Sequence, residues 1–375
     1  AYELRANSAV RSRLGAAITR GLTRFVGRDV EVAQLDAAMS RAREGRGQVV
    51  TLVGEPGVGK SRLTWEVART ARAQDWLVLM AGCLSAGEAP PYLPLADLLR
   101  SYFQIGPGAT HEHVRETVTG RLREIDESMV PLAAPVLATL DVPVDEADWQ
   151  QRDAHGQRRL RLDAVLRLIL RASLERPVLL VVDDVQWIDS ETQAFLDLLV
   201  ESLPAARLLL LVNGRPETLH SWSQRSYYAQ VALGPLPSPR AAELLDALVG
   251  TDPSLEEVKK QLLERTEGNP LFVEESVRSL VETGAIVGSR KDYRPSRAAL
   301  PMPVPERVQS VLAARIGRLA PDDRRVLLAA SAIGKDVPLP FLELITVQSE
   351  EELRPSLRPL DAARVLYPTS RDPSP

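Results

Sequence analysis

The feature that most restricts the fold of this chain is a glycine-rich loop between a predicted strand and a predicted helix. Residues 54–61 read Gly-Glu-Pro-Gly-Val-Gly-Lys-Ser and match the pattern GxxxxGK[ST]. The β-rich run 49–53 precedes this loop, and an amphipathic helical pattern over 60–72 follows it. In such a loop, glycines let successive backbone N–H groups turn toward phosphate oxygens. The motif therefore predicts a phosphate-binding loop in preference to a plain glycine turn.

The predicted nucleotide contacts come mostly from this loop and its first helical residues. Lys60 is expected to reach the β and γ phosphates, and the Ser61 hydroxyl is expected to ligate Mg²⁺. The chain contains only five lysines, so a lysine at this position of the loop is harder to attribute to chance. The predicted contact set is Gly54, Glu55, Pro56, Gly57, Val58, Gly59, Lys60, Ser61 and Arg62.

Two adjacent carboxylates, Asp183 and Asp184, follow the apolar run 178–182. A magnesium nucleotide site needs a carboxylate at the carboxyl end of a strand near the loop. Asp183 is predicted to hold the metal through its bound water, and Asp184 to orient or deprotonate the attacking water. An acidic pair after a strand can also simply cap the next helix, and the sequence leaves that alternative open.

A third predicted catalytic residue, Arg215, closes the apolar run 208–212. Ligands of open α/β sheets bind at the carboxyl ends of the strands, so Arg215 is expected at the same edge as the loop and the acids. Its predicted role is to sense the γ-phosphate. A surface arginine at the end of a strand is an equally good interpretation of the sequence alone.

The apolar runs indicate the fold class. The runs 178–182 and 208–212 are continuously apolar, as expected for strands that are buried on both faces of a parallel sheet. A further strand is predicted at 76–80, and the stretch 90–175 is predicted to be mostly helical. Strands that alternate with helices predict a three-layer α/β domain of the P-loop NTPase type with right-handed crossovers.

Beyond about residue 236 the predicted strands stop and the chain becomes helical. Helical patterns cover 238–249, 254–265, 271–283, 305–319, 322–333 and 350–359. The predicted organisation is a linker helix (1–24), a P-loop core (25–235), a helical lid (236–285), a linker (286–304), a small helical domain (305–367) and a frayed tail (368–375). The arginine-rich first segment is predicted to be a solvated helix face, with a basic nucleic-acid arm as the alternative.

Composition narrows the function classes. The net charge of −4 gives no overall attraction to nucleic acid or to anionic lipid. Cys83 is the single cysteine, so an internal disulfide and a multi-cysteine metal site are excluded. The four histidines form no zinc pattern, and no apolar stretch approaches 18 residues. We therefore expect a cytoplasmic protein with no metal other than Mg²⁺ and no membrane partner.

Five motifs resemble one known family. They are Phe-Val-Gly-Arg at 25–28, the loop with Arg62, Leu-Leu-Val-Val-Asp-Asp-Val-Gln-Trp at 179–187, Arg-Pro-Glu at 215–217 and Glu-Gly-Asn-Pro at 267–270. Together they resemble the AAA-type ATPase module of STAND signal-transduction NTPases. More narrowly, the chain is similar to the module that follows a class III adenylate/guanylate cyclase domain and precedes helical (TPR-like) repeats. The similarity covers nearly the whole chain.

The resemblance implies further roles. Phe25 and Val26 would lie near the adenine, Arg215 would be the sensor arginine, and Pro270 would bring the lid onto the base. From the residues alone, Asn269 and Pro270 suit the start of any helix. Residues 305–367 would form a winged-helix domain that packs on the ATPase as a regulatory lid. Gly214 and Gln186 replace a tyrosine and a histidine that are common in the family. These two differences are expected to affect the rate of ATP hydrolysis more than nucleotide binding.

We therefore expect a switch that binds ATP or ADP with Mg²⁺, hydrolyses ATP slowly and controls an attached output domain. The expected partners are an upstream cyclase domain and downstream helical repeats. Residues Ala1–Leu4 resemble the last residues of such a cyclase domain, so the chain is expected to be a fragment. A cyclase itself needs more residues than those ahead of position 25. A LuxR-type activator needs a helix-turn-helix that is not visible in 320–375. A small-molecule kinase is the remaining alternative, and Asp184 with Arg215 favours water as the acceptor.

Overall fold

The computed structural model describes most of the chain. The described residues are 22–83, 91–106, 108–215, 221–289, 292–296, 316–317, 319–334, 337–362 and 365–366. The linker helix predicted for 1–24, the helix predicted for 305–319 and the predicted tail lie almost entirely outside these residues.

A five-stranded parallel sheet forms the centre of the fold. The strands are β1 (Gln48–Val53), β2 (Leu77–Gly82), β3 (Val178–Asp183), β4 (Leu208–Gly214) and β5 (Tyr228–Ala232). Their order across the sheet is β2-β3-β4-β1-β5, and every neighbouring pair is parallel. This arrangement confirms the predicted α/β class. Strand β5, at one edge, was not predicted from the sequence.

Helices cover both faces of the sheet because its central strands are apolar on both sides. All residues of β1 and β4, and all but the last of β3, are buried. One face packs against α1 (Asp29–Arg43) and α2 (Lys60–Ala73). The other face packs against the helices inserted between β2 and β3 and against α8 (Ser190–Ser202). The inserted helices are α3 (Leu93–Tyr102), α4 (His111–Ile125), α5 (Ala133–Thr139), α6 (Ala147–Gln150) and α7 (Ala154–Glu175).

A lid follows the sheet and has its own apolar core. It contains α9 (Ser238–Val249), α10 (Glu256–Thr266) and α11 (Pro270–Glu282). The segment predicted as a linker from 286 onward begins differently, with an antiparallel hairpin of β6 (Ile286–Ser289) and β7 (Asp292–Pro295). Ile286 is 1% exposed and packs in the lid core, which anchors the hairpin there. The prediction that strands end near residue 236 was therefore wrong.

The described part of the last region forms a separate small core. Helices α12 (Pro321–Ile333), α13 (Leu339–Thr346) and α14 (Glu350–Ala362) pack through Val326, Ala330, Leu342, Leu353 and Leu360. Helix α13 was not predicted. Between 316 and 366 the described residues contain no strand, so the winged-helix assignment stays a prediction.

Within the described residues, no helix is both long enough and apolar enough to cross a membrane.

Helix α8 offers a matched test of the packing against the sheet. Phe195 is fully buried, whereas Leu198, one turn further on, is 40% exposed. Phe195→Ala is expected to destabilise the core by about 3–5 kcal/mol because it leaves a cavity under the sheet. Leu198→Ala should change stability by roughly 0.5 kcal/mol. Hydrogen exchange of the sheet amides measures both values, and equal losses would contradict the packing described here.

Candidate functional site

The glycine-rich loop leaves β1 at the carboxyl edge of the sheet and runs directly into α2. Gly59 has a φ of +103° at the residue before the helix, a conformation that a side chain would strain. A Cβ on Gly54 would lie 2.4 Å from the Leu233 carbonyl oxygen, so the loop passes too close to the end of β5 for any other residue. These two glycines are therefore required by the backbone.

The loop lysine folds back over the loop. Lys60 Nζ donates hydrogen bonds to the carbonyl oxygens of Gly54 at 2.6 Å and Glu55 at 3.2 Å. Burial lowers the pKa of Lys60 below its ordinary value, while the negative charges of Asp184, Asp183 and Glu55 act in the opposite direction. The ammonium group thus contacts two loop carbonyl oxygens, and three nearby carboxylates act on it electrostatically.

The two residues predicted to serve the metal lie together. Ser61 Oγ donates to Asp183 Oδ2 at 3.2 Å, joining the start of α2 to the end of β3. A hydroxyl and a carboxylate are the oxygen ligands that Mg²⁺ accepts, and Mg²⁺ normally completes its shell with water and substrate phosphates. The described residues contain no group of three or more His, Cys, Asp or Glu that could hold a metal without such help. The donor set therefore fits Mg²⁺ brought with a nucleotide.

Asn213, at the end of β4, is a site residue that the sequence analysis missed. It is fully buried, and its Nδ2 donates to Asp183 Oδ1 at 3.0 Å and to Thr64 Oγ1 at 2.9 Å. One Asp183 oxygen thus faces Ser61 and the other faces Asn213. The available signal was a single polar residue closing the apolar run 208–212 at the same sheet edge as the acids.

Asp184 lies in a turn of its own next to Asp183. It has a φ of +59° and precedes the 3₁₀ helix Val185–Trp187. Its Oδ1 accepts a hydrogen bond from Gln186 Nε2 at 3.1 Å. Neither acid caps the next helix, because Asp189 caps α8 by accepting from the backbone N–H groups of Glu191 and Thr192. The capping alternative for the acidic pair is therefore wrong.

Arg215 follows β4 at the same edge and is exposed. Its guanidinium carbon lies 5.9 Å from the centroid of the Trp187 ring, within the range of a cation–π contact. Its positive charge is one of the influences that lower the pKa of Lys60. Asp184 and Arg215, the other two predicted catalytic residues, thus both act electrostatically on Lys60, in opposite directions.

The segment around Phe25 and Val26 runs between the core and the lid. Phe25 packs beside the core cluster, and the Arg62 guanidinium lies 5.7 Å from its ring centroid. Val26 packs instead in the lid core. Pro270 is the first residue of α11, after the N-cap Asn269. Phe25 thus adjoins Arg62 beside the loop, and Pro270 lies between two residues, Asn269 and Leu271, that bond to the loop. The contacts of Phe25, Val26 and Pro270 with a base stay predictions.

Comparison with known families identifies this arrangement. The sequence model of the AAA ATPase domain matches residues 24–212, just over half of the chain. The chain belongs to the AAA ATPase domain family. A second model, of a domain of unknown function, matches residues 237–287, which include the lid helices. AAA ATPase domains generally bind ATP or ADP with Mg²⁺.

Individual proteins to which the chain is similar share only a small part of its sequence. The chain is 26% identical over 334 residues to an uncharacterized protein of Rhizobium meliloti (strain 1021), an alignment that covers 86% of this chain and 31% of that protein. The chain thus spans about a third of the length of that relative. Among solved structures, it is similar to a chain of Drosophila ORC bound to DNA, with 13% identity, a TM-score of 0.45 and coverage of 96% and 86% of the two chains. It is also similar to a chain of the E. coli MS115-1 HORMA:CdnC:Trip13 complex, with 13% identity, a TM-score of 0.35 and coverage of 92% and 93%.

The Asn213 contacts generate a stability prediction. Asn213→Leu keeps the branched heavy-atom shape of the side chain, with bulkier methyl groups in place of the amide atoms, and removes the donor to Asp183 and to Thr64. We expect a loss of about 1–3 kcal/mol in the free energy of unfolding, because buried polar atoms lose their partner. Gln150→Leu, which removes an exposed amide bonded to the Val144 carbonyl, is the control and should change little. Urea unfolding measures both variants, and an Asn213→Leu protein as stable as the control would contradict the network.

Proposed function

We propose that this chain is an ATP-binding switch that hydrolyses ATP slowly and controls an attached or partner output domain. The observation that carries the proposal is the convergence of Lys60, Ser61, Asp183 and Asp184 at one edge of the sheet. Membership of the AAA ATPase domain family supports the same conclusion.

The proposed hydrolysis divides the work among these residues. Lys60 would leave its loop carbonyls to bind the β and γ phosphates, while Ser61 and Asp183 would hold Mg²⁺. Bound Mg²⁺ would supply charge neutralisation at the phosphate oxygens. Asp184, held by Gln186, would orient the water that attacks the γ-phosphorus and accept its proton as the bond from that phosphorus to the ADP oxygen breaks, and Arg215 would approach the γ-phosphate. Each role uses a group that the fold already brings to the same edge.

The output of the switch is proposed by resemblance. An upstream adenylate/guanylate cyclase domain and downstream helical repeats are the partners that the motifs suggest. The greater length of the Rhizobium meliloti relative is compatible with additional domains. A LuxR-type regulator, or the ATPase part of a cyclase, would use the same nucleotide site. These alternatives differ in the attached domain rather than in the site.

The binding half of the proposal is tested at the loop lysine. Lys60→Ala removes the dedicated cation for the phosphates, and we expect ATP affinity to fall at least tenfold because a charge-assisted contact is lost. Lys260→Ala, at an exposed position of α10, is the matched control and should bind as the wild type does. Titration with a fluorescent ATP analogue decides the question. An ATP affinity of Lys60→Ala within twofold of the wild-type value would contradict the proposed nucleotide binding.

The hydrolytic half is tested by separating the two acids. Asp184→Asn keeps the shape but removes the basic group, so ATP affinity should stay near wild type while turnover falls on the order of 10²-fold. Asp183→Asn should instead raise the Mg²⁺ concentration needed for tight nucleotide binding. Phosphate release and Mg²⁺ titrations on both variants provide the measurement. Wild-type turnover in Asp184→Asn would show that another group activates the water.

A further inference from the structure

Three donors hold the phosphate loop from outside, each at a backbone carbonyl. Asn269 Nδ2 donates to the Pro56 oxygen at 3.1 Å, and the Leu271 backbone N–H donates to the Gly57 oxygen at 3.2 Å. Arg28 Nη2 donates to the Val58 oxygen at 2.8 Å. Three consecutive loop carbonyls are therefore fixed by the lid and by the segment that precedes α1.

Because the peptide group is planar, the contacts at the three loop carbonyls also determine the direction of the loop N–H groups. In a trans peptide the C=O and the following N–H point in opposite directions. Holding the carbonyls of residues 56, 57 and 58 outward therefore directs the N–H groups of residues 57, 58 and 59 to the other side. Those N–H groups are the ones that such a loop offers to phosphate. The Val58 N–H makes only a long contact of 3.5 Å to the Glu55 oxygen, which a phosphate oxygen can replace.

The approach of the lid also explains one glycine. Gly57 occupies a position at which the GxxxxGK pattern accepts any residue, yet it has a φ of +87°. A Cβ there would lie 2.8 Å from both Asn269 Oδ1 and the Cβ of Leu271. Glycine at this position is therefore required by contact with the lid in addition to its own backbone conformation.

Asn269 uses its two amide atoms for different tasks. Its Oδ1 caps α11 by accepting from the backbone N–H groups of Leu271 at 3.1 Å and Phe272 at 3.3 Å. Its Nδ2 is the donor to the loop. The turn that carries it is fixed to the start of the lid, since the Leu236 N–H donates to the Gly268 oxygen at 2.8 Å. Arg28 adds a bond to the Gly234 oxygen at 2.6 Å, at the junction between β5 and the lid.

We propose that Asn269, together with Arg28, is a positioning residue that orients the amides of the phosphate loop and thereby couples phosphate binding to lid docking. This inference rests on the proposed nucleotide binding. Coupling of this kind is reciprocal, so a lid held on the loop increases phosphate affinity, and bound phosphate holds the lid by the same factor. The lid thus responds to the conformation of the loop without having to touch the phosphate.

The variant Asn269→Ser separates the two tasks of the side chain. Serine caps a helix about as well as asparagine, so α11 keeps its start. Its side chain is too short to reach the Pro56 oxygen while capping, and it adds no charge near the phosphates. Losing one hydrogen bond of ordinary strength should weaken ADP binding about two- to tenfold. Asp252→Ser, which replaces the cap of the 3₁₀ helix Pro253–Leu255 in the lid, is the matched control and should leave ADP affinity unchanged.

A second measurement distinguishes positioning from a purely structural role. Hydrogen exchange of the Leu271 and Phe272 amides is compared with and without saturating Mg-ADP in the full chain. In the wild type and in Asp252→Ser, ADP should slow exchange at these amides. In Asn269→Ser, exchange of the Phe272 amide without ADP should match the wild type, because its partner is the helix cap that serine keeps, while the slowing by ADP should shrink at both amides.

The outcomes separate this inference from the proposed function. A wild-type chain that does not bind Mg-ADP would refute the proposed function itself. If the wild type binds and Asn269→Ser shows the same affinity and the same ADP-dependent slowing, the coupling is refuted. Gly57→Ala provides a second arm, since its Cβ would push the lid away from the loop and its φ of +87° would strain the loop. Wild-type slowing of exchange by ADP in that variant would equally overturn the inference.

Discussion

The position of β4 between β1 and β3 is the constraint on which the site depends. The phosphate loop leaves β1, and Asp183 ends β3, so one strand separates them. The residue at the end of that strand must therefore lie between the loop helix and the acid. Asn213 fills this place and bonds both to Thr64 of α2 and to Asp183. The strand order thus sets the distance between Ser61 and Asp183, and a buried amide fixes the orientation of the carboxylate.

A second set of bonds links this rigid centre to the lid. The segment before α1 contributes Arg28, whose guanidinium joins the loop to the junction at Gly234 and pairs with Glu31 at 2.9 Å. The same segment contributes Thr23, whose hydroxyl bonds to Glu274 of the lid while its carbonyl oxygen accepts from Arg62. Residues close in sequence therefore contact both bodies. Movement of the lid would change the bonding of this segment and of the loop together.

The sequence predicted the elements that have strong local signals and missed those that depend on tertiary contacts. The loop, β3 and β4 were predicted because glycine spacing and continuous burial leave a clear pattern. Strand β5 is a short edge strand with only Val231 buried, so its residues show no apolar run. The hairpin β6–β7 buries essentially Ile286 alone, and polar residues around it suggested a linker.

Asn269 shows why part of the site could not be predicted from sequence. An asparagine before Pro270 is fully explained by helix capping, so its local pattern leaves nothing that calls for another role. The second role arises only because the lid places the unused amide nitrogen beside a loop carbonyl 213 residues away in sequence. Capping needs an acceptor, and serine or aspartate would supply one as well as asparagine does. The docking contact also needs a neutral donor on the same side chain, and among the good capping residues asparagine combines the two with enough length to reach both partners.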